Sequence, residues 1–249
     1  MSEKIEISNL NGIIRGTVTS PENTIKGVLI CLHGGPGGNE HGNTDGFDQI
    51  AAMAEEVGFA TVQFSFYGNG NSDGTIAEYS LASQKVDFEA VVDFAKKKFK
   101  APIHVIGESA GATIASLNWR EDVASYILLW PAFDLLDTDL RGLLNLEALE
   151  SLKSNEALKV DGVEIGRTLA YEILTTDFSK SFDLPNKPIF MAHGKADDEV
   201  PYQQSLAAIE TAKSDLLFFS HPTADHGFKA PEARSKLLQN LEKWLSALG

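Results

Sequence analysis

The chain has 249 residues, 43% hydrophobic and 22% charged, the proportions of an ordinary globular protein able to bury a substantial core. A formal net charge of −14 leaves no basic stripe to neutralise phosphates, which argues against nucleic acid and an anionic membrane surface as partners. A single cysteine excludes an internal disulfide, and no run approaches the ~20 apolar residues of a membrane span, so a cytoplasmic protein is expected. In chain order, residues 5–7 and 13–18 flank Asn11-Gly12, the favoured type I′ pair, and predict an opening hairpin. Gly27–Leu32 is a continuous apolar run of the kind needed by a strand covered on both faces, with Cys31 as a packed thiol. The glycine-rich loop 33–38 follows, then a helix over 47–57, a strand over Phe59–Phe64 and a turn-rich loop over 67–74.

Residues 81–99 have helical spacing, with Lys96, Lys97 and Lys98 near the end where positive charge suits the helix dipole. A short buried strand at 103–106 leads into a helix rich in small residues. Further strands are predicted at 125–130, 188–193 and 216–219, and helices at 203–213 and 232–248. This alternation predicts an α/β fold with a mostly parallel sheet and helices on both faces. The segment 133–183 breaks the rhythm. It carries no convincing strand and two helical pieces, at 140–154 and 165–175, and reads as a small inserted helical cap within one domain spanning 1–249.

Gly107-Glu108-Ser109-Ala110-Gly111 fits G-x-S-x-G, in which a serine sits on a strained strand-to-helix turn with its hydroxyl lifted above the sheet edge. The helix behind it offers unpaired N–H groups to any negative charge forming near Ser109. A serine hydroxyl needs a base, and the base needs an orienting acid, in the chain order Ser, Asp or Glu, His. Asp197, on the loop after the strand at 188–193, is the chosen acid, with Asp198 and Glu199 as alternatives. His33, His41, His104 and His193 fall before that point, which leaves His221 and His226. His226, on a loop just before the last helix, is the chosen base, and His221, before Pro222, reads as a turn residue. The oxyanion needs two donors, expected from the backbone N–H groups of Ala110 and Gly35. The loop 33–38 lacks the Lys-Ser/Thr of a phosphate cradle, Gly68-Asn69-Gly70 is no dinucleotide fingerprint, and no cluster has metal-ligand spacing, so no cofactor and no metal are expected.

The segments HGGPGG at 33–38, FYGNGNSDG at 66–74, GESAG at 107–111, HGKADDEVP at 193–201 and ADHGF at 224–228 together resemble the α/β-hydrolase superfamily over essentially the whole chain. Within it the chain looks most like small bacterial serine esterases with a compact cap: carboxylesterases, including the cinnamoyl and feruloyl esterases. The resemblance implies the same roles for Ser109, Asp197, His226, Gly35 and Ala110. It also implies a small-molecule ester as substrate. The elbow departs from the G-H-S-x-G common among cinnamoyl esterases, placing Glu108 where they have histidine. HGGPGG is also similar to prolyl aminopeptidases, and acylaminoacyl peptidases share parts of the pattern. An aminopeptidase or amidase using the same triad is therefore the alternative, with Asp134, Asp137, Asp139 or Glu147 available to bind an amino group. A catalytically silent ligand-binding member of the fold is a further rival. Phe133, Leu135, Leu136, Leu143 and Tyr171 are the expected pocket wall in the cap, and a homodimer is compatible with the sequence.

Overall fold

The structure, a computed structural model, describes residues 2–160, 162–213 and 215–248. Strands β1 (Ser2–Ser8) and β2 (Ile13–Thr19) form the opening hairpin, followed by β3 (Gly27–Leu32), α1 (Gly46–Glu56) and β4 (Phe59–Phe64). Next come α2 (Leu81–Lys98), β5 (Ile103–Glu108), α3 (Ala110–Leu117) and β6 (Ser125–Leu129). A long insertion contains α4 (Leu140–Leu143), α5 (Leu146–Leu152), β7 (Ala157–Val160), β8 (Val163–Gly166) and α6 (Arg167–Thr175). The chain finishes with β9 (Ile189–Gly194), α7 (Tyr202–Glu210), β10 (Leu216–His221) and α8 (Pro231–Leu248). Eight strands make one sheet in the order β1-β2-β4-β3-β5-β6-β9-β10. Only the β1–β2 and β2–β4 pairs are antiparallel. The other five are parallel, as the expected α/β architecture requires.

Each central strand is buried along its length because helices cover both faces. Alternate side chains of β3 show the division. Leu29 and Cys31 join Phe47 and Ile50 of α1 and Leu237 and Leu241 of α8 in one cluster. Val28, Ile30 and Leu32 join Phe88 and Val91 of α2 and Ile114 of α3 in the other. α2 starts where Ser80 and Ser83 exchange side-chain and backbone hydrogen bonds in a capping box. Its terminal lysines also serve other elements, since Lys96 pairs with Asp122 at 2.7 Å and Lys98 with Glu3 at 2.8 Å. β4 and β5 flank β3 on opposite sides, so the chain reverses direction across the sheet there. That reversal opens a crevice at the C-terminal ends of β3 and β5, the usual ligand position in such sheets.

Four local expectations are corrected. The opening turn is not a two-residue type I′ turn at Asn11-Gly12, because pairing ends at Ser8 opposite Ile13 and leaves four loop residues. Asn9 closes that loop instead, its Oδ1 accepting from Asn11 N–H at 2.8 Å and Gly12 N–H at 3.2 Å. The helix predicted over 140–154 is broken, because Asn145 caps a fresh start at α5 by accepting from Ala148 N–H at 3.0 Å. The insertion also contains strands, the antiparallel pair β7–β8, and the first residues of the helix predicted over 165–175 belong to β8. Leu144, Leu152, Ile165, Leu169, Ile173 and Phe178 of the insertion share one buried cluster with the α2 and α3 face of the sheet. Among the described residues no helix is long and apolar enough to cross a membrane.

Candidate active site

Ser109 follows β5 with φ 51 and ψ −122, a conformation that costs a non-glycine residue energy. The elbow closes only because its flanking positions lack side chains. A Cβ on Gly111 would lie 2.1 Å from the Leu32 carbonyl oxygen, and one on Gly107 would lie 2.8 Å from the Gly111–Ala112 backbone. The turn is pinned by Ser109 N–H donating to Leu129 O at 3.0 Å. Its hydroxyl oxygen stands 3.1 Å from His226 Nε2, and His226 Nδ1 stands 2.8 Å from Asp197 Oδ2. Ser109, His226 and Asp197 are therefore brought together from three separate segments. Glu199, one of the alternative acids, has Oε2 3.8 Å from His226 Nε2, not the Nδ1 that Asp197 meets, and its side chain is 43% exposed. His221 ends β10, with its Nδ1 3.4 Å from the Thr223 hydroxyl oxygen.

The electrostatics follow from burial and partners. Burial would raise the Asp197 carboxyl, but hydrogen bonds from His193 and His226 outweigh it and hold the group below the usual carboxylate range. Two backbone donors complete the set, Glu199 N–H at 3.0 Å and Val200 N–H at 2.8 Å, both on Oδ1. Burial would lower His226, yet the Asp197 hydrogen bond and charge, with Glu199 and Glu108 adding, raise it above the ordinary histidine value. A histidine polarised toward its cation in this way is suited to take the Ser109 proton.

The loop after β3 and the start of α3 carry the two backbone N–H groups expected to serve an oxyanion. Gly35 has φ +35 with open space around its missing Cβ, and Ala110 opens α3. Among the described residues neither backbone N–H finds a partner in the fold, so both are available to an incoming oxygen. Residues outside the predicted site hold this loop. His33 is wholly buried. Its Nδ1–H donates to Gly34 O at 2.8 Å, its Nε2 accepts from Phe66 N–H at 3.0 Å, and burial depresses its pKa to about 4. Asn69 Oδ1 accepts from Gly37 N–H at 2.7 Å, and the Tyr79 hydroxyl donates to Gly35 O at 3.2 Å. The Glu108 carboxylate accepts from Asn43 N–H at 2.8 Å and Gly34 N–H at 3.4 Å. Burial raises its carboxyl, and those two donors oppose the rise. The departure from the common elbow sequence thus puts an anchor for the glycine loop beside Ser109.

Arg234 ties the remaining side together. It occupies the buried stripe of α8 with Leu237, Leu241 and Leu245, and a charge on an apolar helical face was the legible signal. Its guanidinium donates to Phe228 O at 3.2 Å, to Gly227 O, and to Thr44 Oγ1 at 2.7 Å. Gly227 and Phe228, directly after His226, both have positive φ, so Arg234 restrains a strained turn next to His226. Arg234→Met should lower stability by about 3 kcal/mol, because it strips charged donors from two carbonyls, and Tm by about 8 °C. Thermal melting checks this, and a Tm within about 1 °C of wild type would refute the clamp.

Two hollows flank Ser109. One, of about 370 Å³, is lined by the glycine loop with Asn43, Glu108, Trp130, Glu199 and His226. The other, of about 180 Å³, lies toward the insertion against Pro36, Ala132, Leu135, Leu140, Val163 and Val200, with Thr138, Asp139 and Glu199 also in its lining. Of the five residues expected to wall a cap pocket only Leu135 lines this second hollow. Phe133 is fully buried in the core and Tyr171 is 70% exposed, and the β7–β8 hairpin, not foreseen, supplies Val163 to the wall. Among the described residues no group of three or more His, Cys, Asp or Glu side chains is placed to hold a metal ion.

The model of the prolyl oligopeptidase family matches residues 46–248, a span that includes Ser109, Asp197 and His226 but not the glycine loop. The chain belongs to the prolyl oligopeptidase family. It is a hydrolase with the α/β-hydrolase fold, as solved structures of that fold also indicate. Est1E from Butyrivibrio proteoclasticus, solved with ferulic acid bound, is similar with a TM-score of 0.82 and 22% identity over 98% of both chains. The esterase Pf2001 of Pyrococcus furiosus has a TM-score of 0.73 at 18% identity, covering all of this chain and 93% of that one. Alpha/beta hydrolase domain-containing protein 10 from mouse has a TM-score of 0.74 at 19% identity over the full length of both chains. Likeness at these identities establishes a common fold. No curated protein matches the sequence of this chain.

Proposed function

We propose that the protein is a serine hydrolase of carboxylic esters that works through an acyl-enzyme. The observation that carries this reading is the continuous hydrogen-bonded chain from Ser109 Oγ through His226 to Asp197. Ser109 Oγ attacks the ester carbonyl carbon while its proton passes to His226 Nε2, and Asp197 stabilises the imidazolium. The carbonyl oxygen becomes an oxyanion received by the N–H groups of Gly35 and Ala110. Collapse breaks the bond to the alcohol oxygen, which takes the proton from His226. Water then repeats the sequence, its proton going to His226, and releases the carboxylic acid and Ser109.

The acyl group stays bonded to Ser109 after the alcohol has gone, so the more enclosed, mainly apolar hollow suits the acyl group and the wider, more polar one suits the alcohol. A cavity of about 150 Å³ accommodates benzene, so about 180 Å³ holds roughly seven non-hydrogen atoms. On p-nitrophenyl esters, kcat/KM should rise about three- to fourfold per methylene from acetate until the hollow fills near hexanoate or octanoate. It should then fall for decanoate, and methyl ferulate should be a weak substrate. A flat profile from acetate to decanoate would refute the assigned hollow. The family match, together with the neighbouring carboxylates Asp139 and Glu199, favours one rival, cleavage next to a free amino group. Burial, then the Glu199 charge, raises the Asp139 carboxyl. Amino-acid arylamides belong in the same panel. Turnover of them above that of every ester would replace the esterase reading with a peptidase one.

A further inference from the structure

Asp197 Oδ2 faces two histidines. Besides His226 Nδ1 at 2.8 Å, His193 Nε2 lies 3.1 Å from the same oxygen, and the His193 and Asp197 side chains have no exposed surface. His193 is the fifth residue of β9, and Asp197 lies four residues further on, so the strand end and its loop bring the pair together. The ring is held on its far side as well, with Nδ1 2.7 Å from Ser205 Oγ on α7. Nε2 also lies 3.2 Å from the Val200 carbonyl oxygen. Both neighbours of Nε2 are acceptors, so that nitrogen carries the proton and the Ser205 hydroxyl donates to Nδ1. The Tyr202 ring meets the imidazole edge-on at 5.6 Å and closes the remaining side. Chain order set His193 aside as a base, and nothing in the reaction sequence above uses it.

We propose that His193 is a positioning residue for the hydrolase reaction. As a second donor on Asp197 Oδ2, locked by Ser205, it holds the carboxylate on His226 and shares its charge. The site is then a chain of five side chains, Ser205, His193, Asp197, His226 and Ser109. The inference rests on the proposed function, because it assigns His193 an action on the base of that reaction. Its physical content is a restraint on basicity. A carboxylate that already accepts from His193 pulls less strongly on the His226 proton than one whose Oδ2 serves His226 alone. Removing the His193 donor therefore strengthens that pull and raises the pH at which His226 becomes free to act as base. A contact that merely supported the fold would do the opposite, since loosening Asp197 weakens its hold on His226.

The other groups acting on His226 stay in place. They are Glu199 at 3.8 Å with Lys229 paired to it, and, at longer range, Glu108 and Asp139. Arg234 lies beyond Trp130, its guanidinium 5.8 Å from the indole centroid.

The test measures the rate of labelling by a fluorophosphonate probe across pH, which needs no knowledge of the natural substrate. His193→Leu should move the acidic limb of that profile up by about one pH unit and slow labelling below the limb about tenfold. His193→Gln, which keeps an N–H near the Nε2 position, should stay within about 0.3 unit of wild type. A limb that does not move, or moves down, in His193→Leu overturns the proposal. The wild-type chain gives a second reading that requires no folded variant, because ¹⁵N spectra of labelled histidines report which ring nitrogen carries the proton. His193 is expected with its proton on Nε2 and Nδ1 accepting, and a proton on Nδ1 alone overturns the proposal even if no variant folds. Absence of labelling in wild type, or labelling that persists in Ser109→Ala, counts against the hydrolase reading itself, whereas an unmoved limb or an Nδ1 proton with Ser109-dependent labelling intact counts against the role of His193 alone.

Discussion

Ser109→Ala should reduce ester turnover by about 10⁴- to 10⁶-fold and abolish fluorophosphonate labelling, with the fold intact. The size of the loss follows from the absence of a substitute. The Ser109 hydroxyl is the one hydrogen-bonded to His226 Nε2, and alanine leaves that nitrogen facing the substrate without a nucleophile. His226→Ala should cost a similar amount, because serine, base and acid act as a unit and their losses do not add. The residual rate would come from the Gly35 and Ala110 donors and from binding alone. Stability separates chemistry from damage. Alanine at position 109 keeps the strained φ of 51, whereas glycine relieves it, so Ser109→Gly should melt about 3 °C above Ser109→Ala. Both should be inactive. Turnover within a hundredfold of wild type in either variant, on any ester of the panel, would remove Ser109 from the mechanism.

How much of this was legible in the sequence depends on the range of the forces involved. Parallel strands buried on both faces write themselves as continuous apolar runs, which is why Gly27–Leu32 and Phe59–Phe64 were located to the residue. That Ser109, Asp197 and His226 would meet was legible because each sits on a loop whose glycines and chain order follow from the elbow and the strand ends. The β7–β8 hairpin was missed although Asp161-Gly162 between two β-branched stretches carried its cue, the cue applied to Asn11-Gly12. There the same cue misled, because Asn9 offers a side-chain acceptor to two N–H groups and so favours a longer loop. Both errors weigh a dipeptide against neighbours that decide its geometry. The helix break at Asn145 is of the same kind, a cap residue hidden within an apolar spacing that suited one long helix.

The supporting residues were harder for a different reason. Glu108, Arg234 and His33 act through contacts that span 65, 190 and 33 residues of sequence, and no local pattern records such pairings. What a sequence does record is incongruity: an arginine in an apolar helical stripe, or a glutamate before the nucleophile where related elbows place histidine. Those incongruities marked the residues that hold the loops, just as the buried histidine of β9 marks the second donor on Asp197. The cap pocket resists the same approach, since its wall is set by how the insertion packs and not by which of its residues are apolar. Phe133, fully buried, and Tyr171, 70% exposed, illustrate both ways of missing that wall.

Asp197→Asn should cost about 10⁴ in turnover, and the reason lies in which way the amide must turn. Glu199 N–H and Val200 N–H both donate to Oδ1, so an asparagine keeps its oxygen there and presents its NH₂ where Oδ2 stood. That NH₂ donates to His226 Nδ1 and forces the proton onto Nε2, the nitrogen that must accept from Ser109. It also meets the Nε2–H of His193, donor against donor, in a site without exposed surface, which should destabilise the fold by about 1–3 kcal/mol. The pH profile changes with a definite sign. In the wild type burial lowers His226 but the Asp197 hydrogen bond and charge raise it, so activity should climb with pH through a limb above the ordinary histidine value. With the carboxylate gone, burial dominates over the smaller contributions of Glu199 and Glu108, and the limb should move to lower pH even as the plateau falls. A His193 variant moves the same limb upward, so the two substitutions pull one observable in opposite directions. A rate for Asp197→Asn within tenfold of wild type, or a limb that rises, would mean that Asp197 does not orient the base.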